Sequence, residues 1–308
     1  MKVGVDLGGS HIGMGIIDDN GRILEKKEIE LYNIQNMQEF IIDSISNEID
    51  YYIKKYNDIE MIGIASPGTP KDGKLTNIVN LGIKELDIST ILKFKFNIPV
   101  KVKNDAKCAA IAEMKYGALN SYQDAVFLCL GTGIGGAVFM GGKELEPIRN
   151  SGMELGHIVI EKNGIQCNCG KRGCFETYCS IKRLKNKLME TMNISKEIDG
   201  KELLNLLKRN NDEKVKDIIN EYIDDLIVGL SNIIDIFEPQ AICLGGGFVY
   251  FEDILYKPFL KKYYEEKYVF NKEELPEIKL ALLGNDAGII GATPVSYTHL
   301  TLPTNSRV

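Results

Sequence analysis

The stretch GHIVIEKNGIQCNCGKRGCFE, residues 156–176, concentrates the side chains best suited to metal chemistry. Cys167, Cys169 and Cys174 are spaced C-x-C-x4-C, and His157 lies ten residues before Cys167. Zinc takes four nitrogen or sulfur ligands in a tetrahedron, and a structural site is closed to water. Asn168, Gly170 and Gly173 permit tight turns around one ion. These features predict a structural Zn2+ held by His157, Cys167, Cys169 and Cys174, with Cys179 on the following helix and pointing elsewhere. The chain has seven cysteines, an odd number. In a reducing compartment such a cluster reads as metal-binding and not as disulfide-bonded.

Three glycine-rich loops each follow an apolar run: DLGGSHIG at residues 6–13, LGTGIGG at 130–136 and LGGGF at 244–248. Glycine allows positive φ and lets a ligand approach backbone N–H groups, and successive N–H groups in a turn make an anion-binding concavity. One such loop alone reads as a tight hairpin turn. Three together point to nucleotide binding by Asp6, Gly8, Gly9 and Ser10, by Gly131, Thr132, Gly133 and Gly135, and by Gly245, Gly246 and Gly247. Asp6 is placed to hold Mg2+, usually through water. None of the loops matches G-x-x-x-x-G-K-[ST], nor G-x-G-x-x-G opening a helix. Asn104 and Asp105 end one predicted strand and begin a helix, where both types serve as caps.

The elements needed to position these residues are legible. KVGVDLG reads as a buried strand, and the next segments form an antiparallel meander with a turn at Asp19, Asn20 and Gly21. Apolar residues recur at helical spacing over 37–56. IEMIGIASPG and IPVKVKND are strands, and DAKCAAIAEMKYG is a helix stopped by glycine. AVFLCLGTGIGGAVFMGGK repeats the opening meander, which suggests two related lobes. The chain reads as helical over roughly 177–237, with later strands at AICLGGG and EIKLALLG and a closing helix starting at NDAGIIGA. The expected architecture is α/β and two-lobed, with a cleft between the lobes: 1–117, then 118–293, then an atypical tail at 294–308.

The totals exclude other classes. A chain of 308 residues buries a large core, and 44% hydrophobic with 26% charged residues is an ordinary globular composition. A net charge of −6, from 37 basic and 43 acidic residues, argues against nucleic acid as the main partner. No apolar run reaches the roughly 18 residues that span a bilayer. MKVGVDLGG has no signal-peptide pattern, so the expected location is cytoplasmic and no membrane partner is expected.

Taken in order, these motifs resemble the ROK family (repressors, open reading frames and kinases) of the actin-like, sugar-kinase ATPase superfamily, whose core is ribonuclease H-like. The resemblance covers residues 1 to about 293. DLGGSHIG resembles the first phosphate loop, LGTGIGG the second and LGGGF the adenosine loop, while KNDAKCAAIAE resembles the segment with the catalytic aspartate. ELGHIVI and CNCGKRGCFE together resemble the zinc signature, the most specific of the matches. The resemblance implies an ATP-dependent hexose kinase with a nucleotide/sugar cleft, using ATP, Mg2+ and Zn2+. Glucose 6-OH is the first expected acceptor, and N-acetylmannosamine, fructose and allose are not separated from it. Asp105 then corresponds to the base that takes the sugar proton. Asn104, Glu154, His157 and Glu176 correspond to sugar contacts, with Gly68 and Asn80 completing the sugar wall. Family members are commonly dimers or tetramers, so a homo-oligomer is expected.

Two features depart from the family. Ile83 stands in VNLGIKE where a tryptophan is frequent, and PVSYTHLTLPTNSRV breaks the closing helix at Pro294, as a foreign or frame-shifted end would. The rival reading is a sugar-responsive repressor or other sugar-sensing member of the family. A repressor needs a winged helix-turn-helix before the first phosphate loop, and a loop beginning at Asp6 leaves no room for one.

Overall fold

Lys2 to Leu7 sets Val3, Val5 and Leu7 on one face and buries Gly4 on the other, and five of the next strand's seven residues are also buried, so these segments form the interior of a sheet. The computed structural model describes residues 1–68, 70–71, 73–78, 81–146, 153–195 and 198–293. In chain order the first elements are β1 (Lys2–Leu7), β2 (His11–Ile17), β3 (Ile23–Glu30), α1 (Met37–Lys55), β4 (Met61–Ser66), β5 (Leu75–Ile78), β6 (Ile83–Leu86), α2 (Ile88–Phe96), β7 (Val100–Asn104) and α3 (Asp105–Tyr116). They are followed by β8 (Ala125–Leu130), β9 (Ile134–Met140), β10 (Lys143–Glu144), α4 (Glu176–Cys179), α5 (Ile181–Thr191), α6 (Gly200–Arg209), α7 (Glu213–Phe237), β11 (Ala241–Gly246), α8 (Lys257–Glu265), β12 (Glu277–Leu280) and α9 (Ala287–Ala292).

The chain divides into two compact units, Met1–Cys108 together with the segment that begins at Gly288, and Ala109–Ala287. The division falls inside α3 and not at Gly117, and α9 returns to the first unit. The return has a packing cause. A Cβ on Gly63 of β4 would lie 1.7 Å from the Ala292 carbonyl oxygen, so α9 rests on strand backbone where only glycine leaves room.

The first unit holds a sheet in the order β3-β2-β1-β4-β7, and the second a sheet in the order β10-β9-β8-β11-β12. In each, an antiparallel meander continues into parallel strands: β1, β4 and β7 in one, β8, β11 and β12 in the other. The repeated meander in the sequence is thus a repeated sheet topology. Ligands of open α/β sheets bind beyond the carboxyl ends of parallel strands. Asp6, Asn104, the 131–133 turn and Gly246 stand at or next to such ends. The small β5–β6 hairpin was not foreseen.

The first unit's core is built by Val3, Val5, Ile62 and Ile64 from the sheet with Ile41, Ile45 and Tyr52 from α1. In the second unit Val126, Leu128 and Leu244 pack with Leu226, Leu230 and Ile233 of α7. Among the described residues no helix is long and apolar enough to cross a membrane.

Candidate active site

β1 delivers Asp6 to a sheet interior, opposite Gly13 of β2 and Ala65 of β4. Residues 8–10 turn the chain into β2, with the Gly8 N–H donating to the His11 carbonyl at 2.9 Å. α9 lies over the Asp6 carboxyl, since a Cβ on Gly288 would sit 2.2 Å from Asp6 Oδ2. Burial pushes the Asp6 pKa up to about 6, the negative charge of Asp105 adds to the rise, and Lys26 opposes it.

Asp105 is the first residue of α3. Burial raises its pKa above the usual carboxylate value, while the backbone N–H of Ala106, donating at 2.7 Å, and the Asn104 side chain work against the rise. Asn104 caps the helix by accepting the Lys107 N–H through Oδ1 at 3.2 Å, and its Nδ2 donates to the Gly68 carbonyl at 3.0 Å. Capping and a positioned carboxylate are therefore both present at this corner. Gly68 adopts φ +83°, which suits glycine in the turn after β4. Asn80 lies outside the described residues.

In the second unit, β8 and β9 are joined by a turn in which the Gly131 N–H donates to the Gly133 carbonyl at 2.9 Å. The Ile134 N–H donates to Glu176 Oε2 at 2.9 Å. A Cβ on Gly133 would stand 2.3 Å from that same oxygen, so the bond requires glycine there. Gly246 pairs with Leu130 across the parallel β8–β11 ladder, which places the third glycine loop beside the second. A pocket of 250 Å³ in this unit is lined by Thr132, Glu176, Asn168, Ser180, Lys182 and Arg183.

The knuckle residues converge. One ligand atom from each of His157, Cys167, Cys169 and Cys174 lies within 4.8 Å of all the others. Cys169 Sγ and Cys174 Sγ are 3.6 Å apart, and Cys167 Sγ is 3.7 Å from His157 Nδ1. Bonds of about 2.3 Å to sulfur and about 2.0 Å to nitrogen set tetrahedral ligand atoms roughly 3.5–3.8 Å apart, so the four residues fit a metal ion. With Nδ1 turned to the cluster, Nε2 of His157 is the nitrogen left for another partner. Cys179 is apart from the cluster, buried on α4, with its thiol directed to the Tyr222 carbonyl. Glu154 has an exposed side chain, and its carbonyl accepts the His157 N–H at 2.9 Å.

The model of the ROK family matches residues 2–297. The chain belongs to the ROK family. It is 30% identical to a glucokinase of Halalkalibacterium halodurans, over 94% of this chain and 92% of that one. A solved ROK hexokinase from Thermus thermophilus superposes with a TM-score of 0.79 at 28% identity, covering 94% of this chain and 95% of the other. A ROK family glucokinase from Streptomyces griseus, solved with glucose and AMPPNP, gives 0.76 at 28% identity over 94% and 97%. The fold is accordingly the two-lobed, actin-like ATPase fold of these ROK enzymes.

Sequence reasoning missed Lys182 and Arg183. They follow Ser180 in the run SIKR, where a basic pair at a helix start beside a glycine loop was the available signal. The Lys182 N–H donates to the Gly131 carbonyl at 3.1 Å, which fixes α5 against the second loop. Glu113 was also passed over, because a glutamate in a small-residue helix reads as a solvated one. It is fully buried and accepts three backbone N–H groups, from Ala118, Leu282 and Leu283.

Proposed function

We propose that the protein is an ATP-dependent hexose kinase that transfers the γ-phosphate to a sugar hydroxyl, with glucose 6-OH the first acceptor to test. The observation that carries this reading is the bond between Glu176 and Ile134. It joins a carboxylate of the sugar-binding pattern to the turn expected to hold nucleotide phosphates, as an enzyme that brings two substrates together requires.

Each group then has a role. Asp105 accepts the proton of the attacking hydroxyl as the new O–P bond forms and ADP departs. Phosphoryl transfer has a loose transition state and asks mainly for positioning and charge neutralisation. A carboxylate at a helix start, whose rise in pKa from burial is opposed by nearby N–H groups, is adequate for that task. Asn104, Glu154, His157 and Glu176 hold the ring; only Oε2 of Glu176 is spent on Ile134. Gly68 and Asn80 complete the wall around the sugar. Gly8, Gly9 and Ser10, with Gly131, Thr132, Gly133 and Gly135, meet the phosphates, and Gly245, Gly246 and Gly247 meet the adenosine. Lys182 and Arg183 add positive charge near Thr132. Asp6 would hold Mg2+ delivered with the nucleotide, and a cation there would relieve its repulsion with Asp105. His157, Cys167, Cys169 and Cys174 would hold Zn2+, which supplies rigidity and no reaction step.

The test is to incubate the protein with ATP, Mg2+ and glucose, N-acetylmannosamine, fructose or allose, and to follow ADP release. ADP release that depends on one hexose supports the reading. No hexose-dependent release across the panel, in protein shown to bind both nucleotide and sugar, would point to a sugar-sensing member of the family instead.

A further inference from the structure

The seam between α5 and α7 holds an opposite-charge couple that is left open. On α7, Ile218, Glu221, Tyr222 and Asp225 recur at helical spacing along one face, and Arg183, Leu184 and Lys187 do so on α5. The two helices meet through Lys187 and Glu221, paired at 2.6 Å. One turn before Lys187 stands Arg183, and one turn after Glu221 stands Asp225. The chain leading into α5 runs against the sense of α7, since the Phe175 ring abuts Gly229 and the Tyr222 hydroxyl donates to the Cys179 carbonyl at 2.9 Å. Arg183 and Asp225 therefore lie on the same side of the Lys187–Glu221 pair. Yet among the described residues neither side chain has a hydrogen-bond or ion-pair partner. Both line a cavity of 320 Å³, the size of a small-molecule site.

The rest of the lining limits what fits. Leu184, Ile218, Tyr178 and Tyr222 give it apolar and aromatic walls. Lys187 and Glu221 answer each other's charge, and Glu190 stands beyond Lys187, away from Arg183. Burial, and then the charge of Glu221, push the Asp225 pKa up to about 6 against the pull of Lys187. At neutral pH it is therefore a half-buried carboxylate, charged and without a donor. A lone cation would answer Asp225 and leave Arg183 open, and a lone anion would do the reverse. We propose that this cavity is a second ligand site that takes a neutral α-amino acid, its ammonium on Asp225, its carboxylate on Arg183 and an apolar side chain against Leu184, Ile218 and Tyr222. Guanidinium and carboxylate match in a forked pair of hydrogen bonds. The inference does not depend on the kinase reading. Arg183 also lines the cavity beside Thr132, so the test is made without nucleotide.

The whole protein is first screened by melting temperature with L-valine, L-leucine, L-methionine and L-phenylalanine at up to about 10 mM. The amino acid with the largest upward shift goes to calorimetry beside two analogues of itself. Its amino alcohol keeps the ammonium and lacks the carboxylate; its N-acetyl derivative keeps the carboxylate and lacks the ammonium. Each analogue is expected to bind about ten- to a hundredfold more weakly, the size of one lost hydrogen bond between charged groups. Asp225→Asn is expected to weaken the amino acid by a similar factor and to leave the N-acetyl derivative unchanged. Arg183→Gln is expected to weaken the amino acid and to leave the amino alcohol unchanged. Four amino acids without a shift overturn the proposal. So does an analogue that binds as tightly as its parent, which would mean that only one of the two charges is read. Binding that survives both substitutions places the ligand elsewhere and overturns it too. The analogue series uses wild type alone, so it decides the matter even where a variant does not fold.

Discussion

Replacing Glu113 tests the packing logic of the second unit without touching any residue assigned to substrate. The side chain is fully buried on α3 and accepts the N–H groups of Ala118 at 2.7 Å, Leu282 at 2.8 Å and Leu283 at 2.7 Å. Glu113→Ala removes all three acceptors. A buried donor left without a partner costs about 1–3 kcal/mol, and water entering the vacated space recovers part of that. The loss is expected to total about 3–5 kcal/mol, the range seen when one side of a buried charged pair is deleted. Glu113→Gln keeps the shape and one oxygen. Oε1 serves Leu282 and Leu283 and Oε2 serves Ala118, so an amide oriented to keep the first two faces the Ala118 N–H with a second donor. One bond is lost, at about 1–3 kcal/mol. The assay is urea unfolding followed by circular dichroism, reading midpoints at unchanged slope. The expected order is wild type, then glutamine, then alanine. An alanine variant within about 0.5 kcal/mol of wild type, as for an ordinary surface change, would refute the reasoning.

Asp105→Asn is expected to cut turnover by about 10² to 10⁴ while the sugar dissociation constant changes little, because the amide still hydrogen-bonds but takes no proton; near-normal turnover at an unchanged melting temperature would mean that the residue is only a cap. Asp6 has a folded-state pKa raised to about 6 from 3.8, so the folded protein holds a proton there that the unfolded chain has lost, and stability falls as pH rises through that window. Asp6→Asn is therefore expected to raise nucleotide-free stability at neutral pH by about 1–3 kcal/mol, with the gain vanishing below about pH 4, and denaturation series at the two pH values check it. Purified protein is expected to carry about one zinc per chain, and Cys169→Ser to lower metal content, melting temperature and sugar affinity together; elemental analysis of protein prepared without chelator finding no zinc would remove the claim. Gly133→Ala is expected to weaken sugar binding more than nucleotide binding, because its Cβ would displace the Glu176 carboxylate, whose oxygen lies 2.3 Å from the Cβ position; equal effects on both ligands would contradict this.

The fold was readable where local pattern and packing agree. β1 to β3 follow from the apolar run KVGVDLG and from the turn at Asp19, Asn20 and Gly21, where Gly21 adopts φ +78°, and α1 follows from its spacing. The knuckle was readable because coordination restricts residue type and spacing at once, and its four ligand atoms do converge. What stayed hidden depends on contacts between segments far apart in sequence. Nothing local marks Glu113 as buried, since its partners Leu282 and Leu283 lie well over a hundred residues away. The return of α9 to the first unit was hidden for the same reason, because it rests on glycines in β1 and β4. Likewise Glu176 could be tied to the knuckle by position alone, but its bond to Ile134 could not be inferred from either segment.

That bond also bears on what a metal held by the knuckle would do. Between His157 and Glu176 the chain has little regular structure of its own; isolated bridges pair Val159 with Cys174 and Gln166 with Arg172. Fixing a backbone costs about 1–2 kcal/mol per residue, so ordering some twenty residues costs on the order of 20–40 kcal/mol before packing offsets it. A hydrogen bond such as Ile134 to Glu176 returns only about 0.5–3 kcal/mol, depending on charge. Burial helps at Cys167, Cys174 and Phe175, but Cys169, Lys171 and Arg172 are exposed and contribute little. A zinc ion held by the knuckle would supply about 10–16 kcal/mol toward that cost, more than any single hydrogen bond in the segment. Its effect would converge on one residue. Ile134 donates its N–H to Glu176, and its carbonyl lies 2.3 Å from the Cβ position of Gly156, the neighbour of His157. An ion that fixes His157 at one end of the knuckle and Cys174 near the other therefore holds both flanks of Ile134. The geometry of the second glycine loop and that of the Glu176 carboxylate would then stand or fall together.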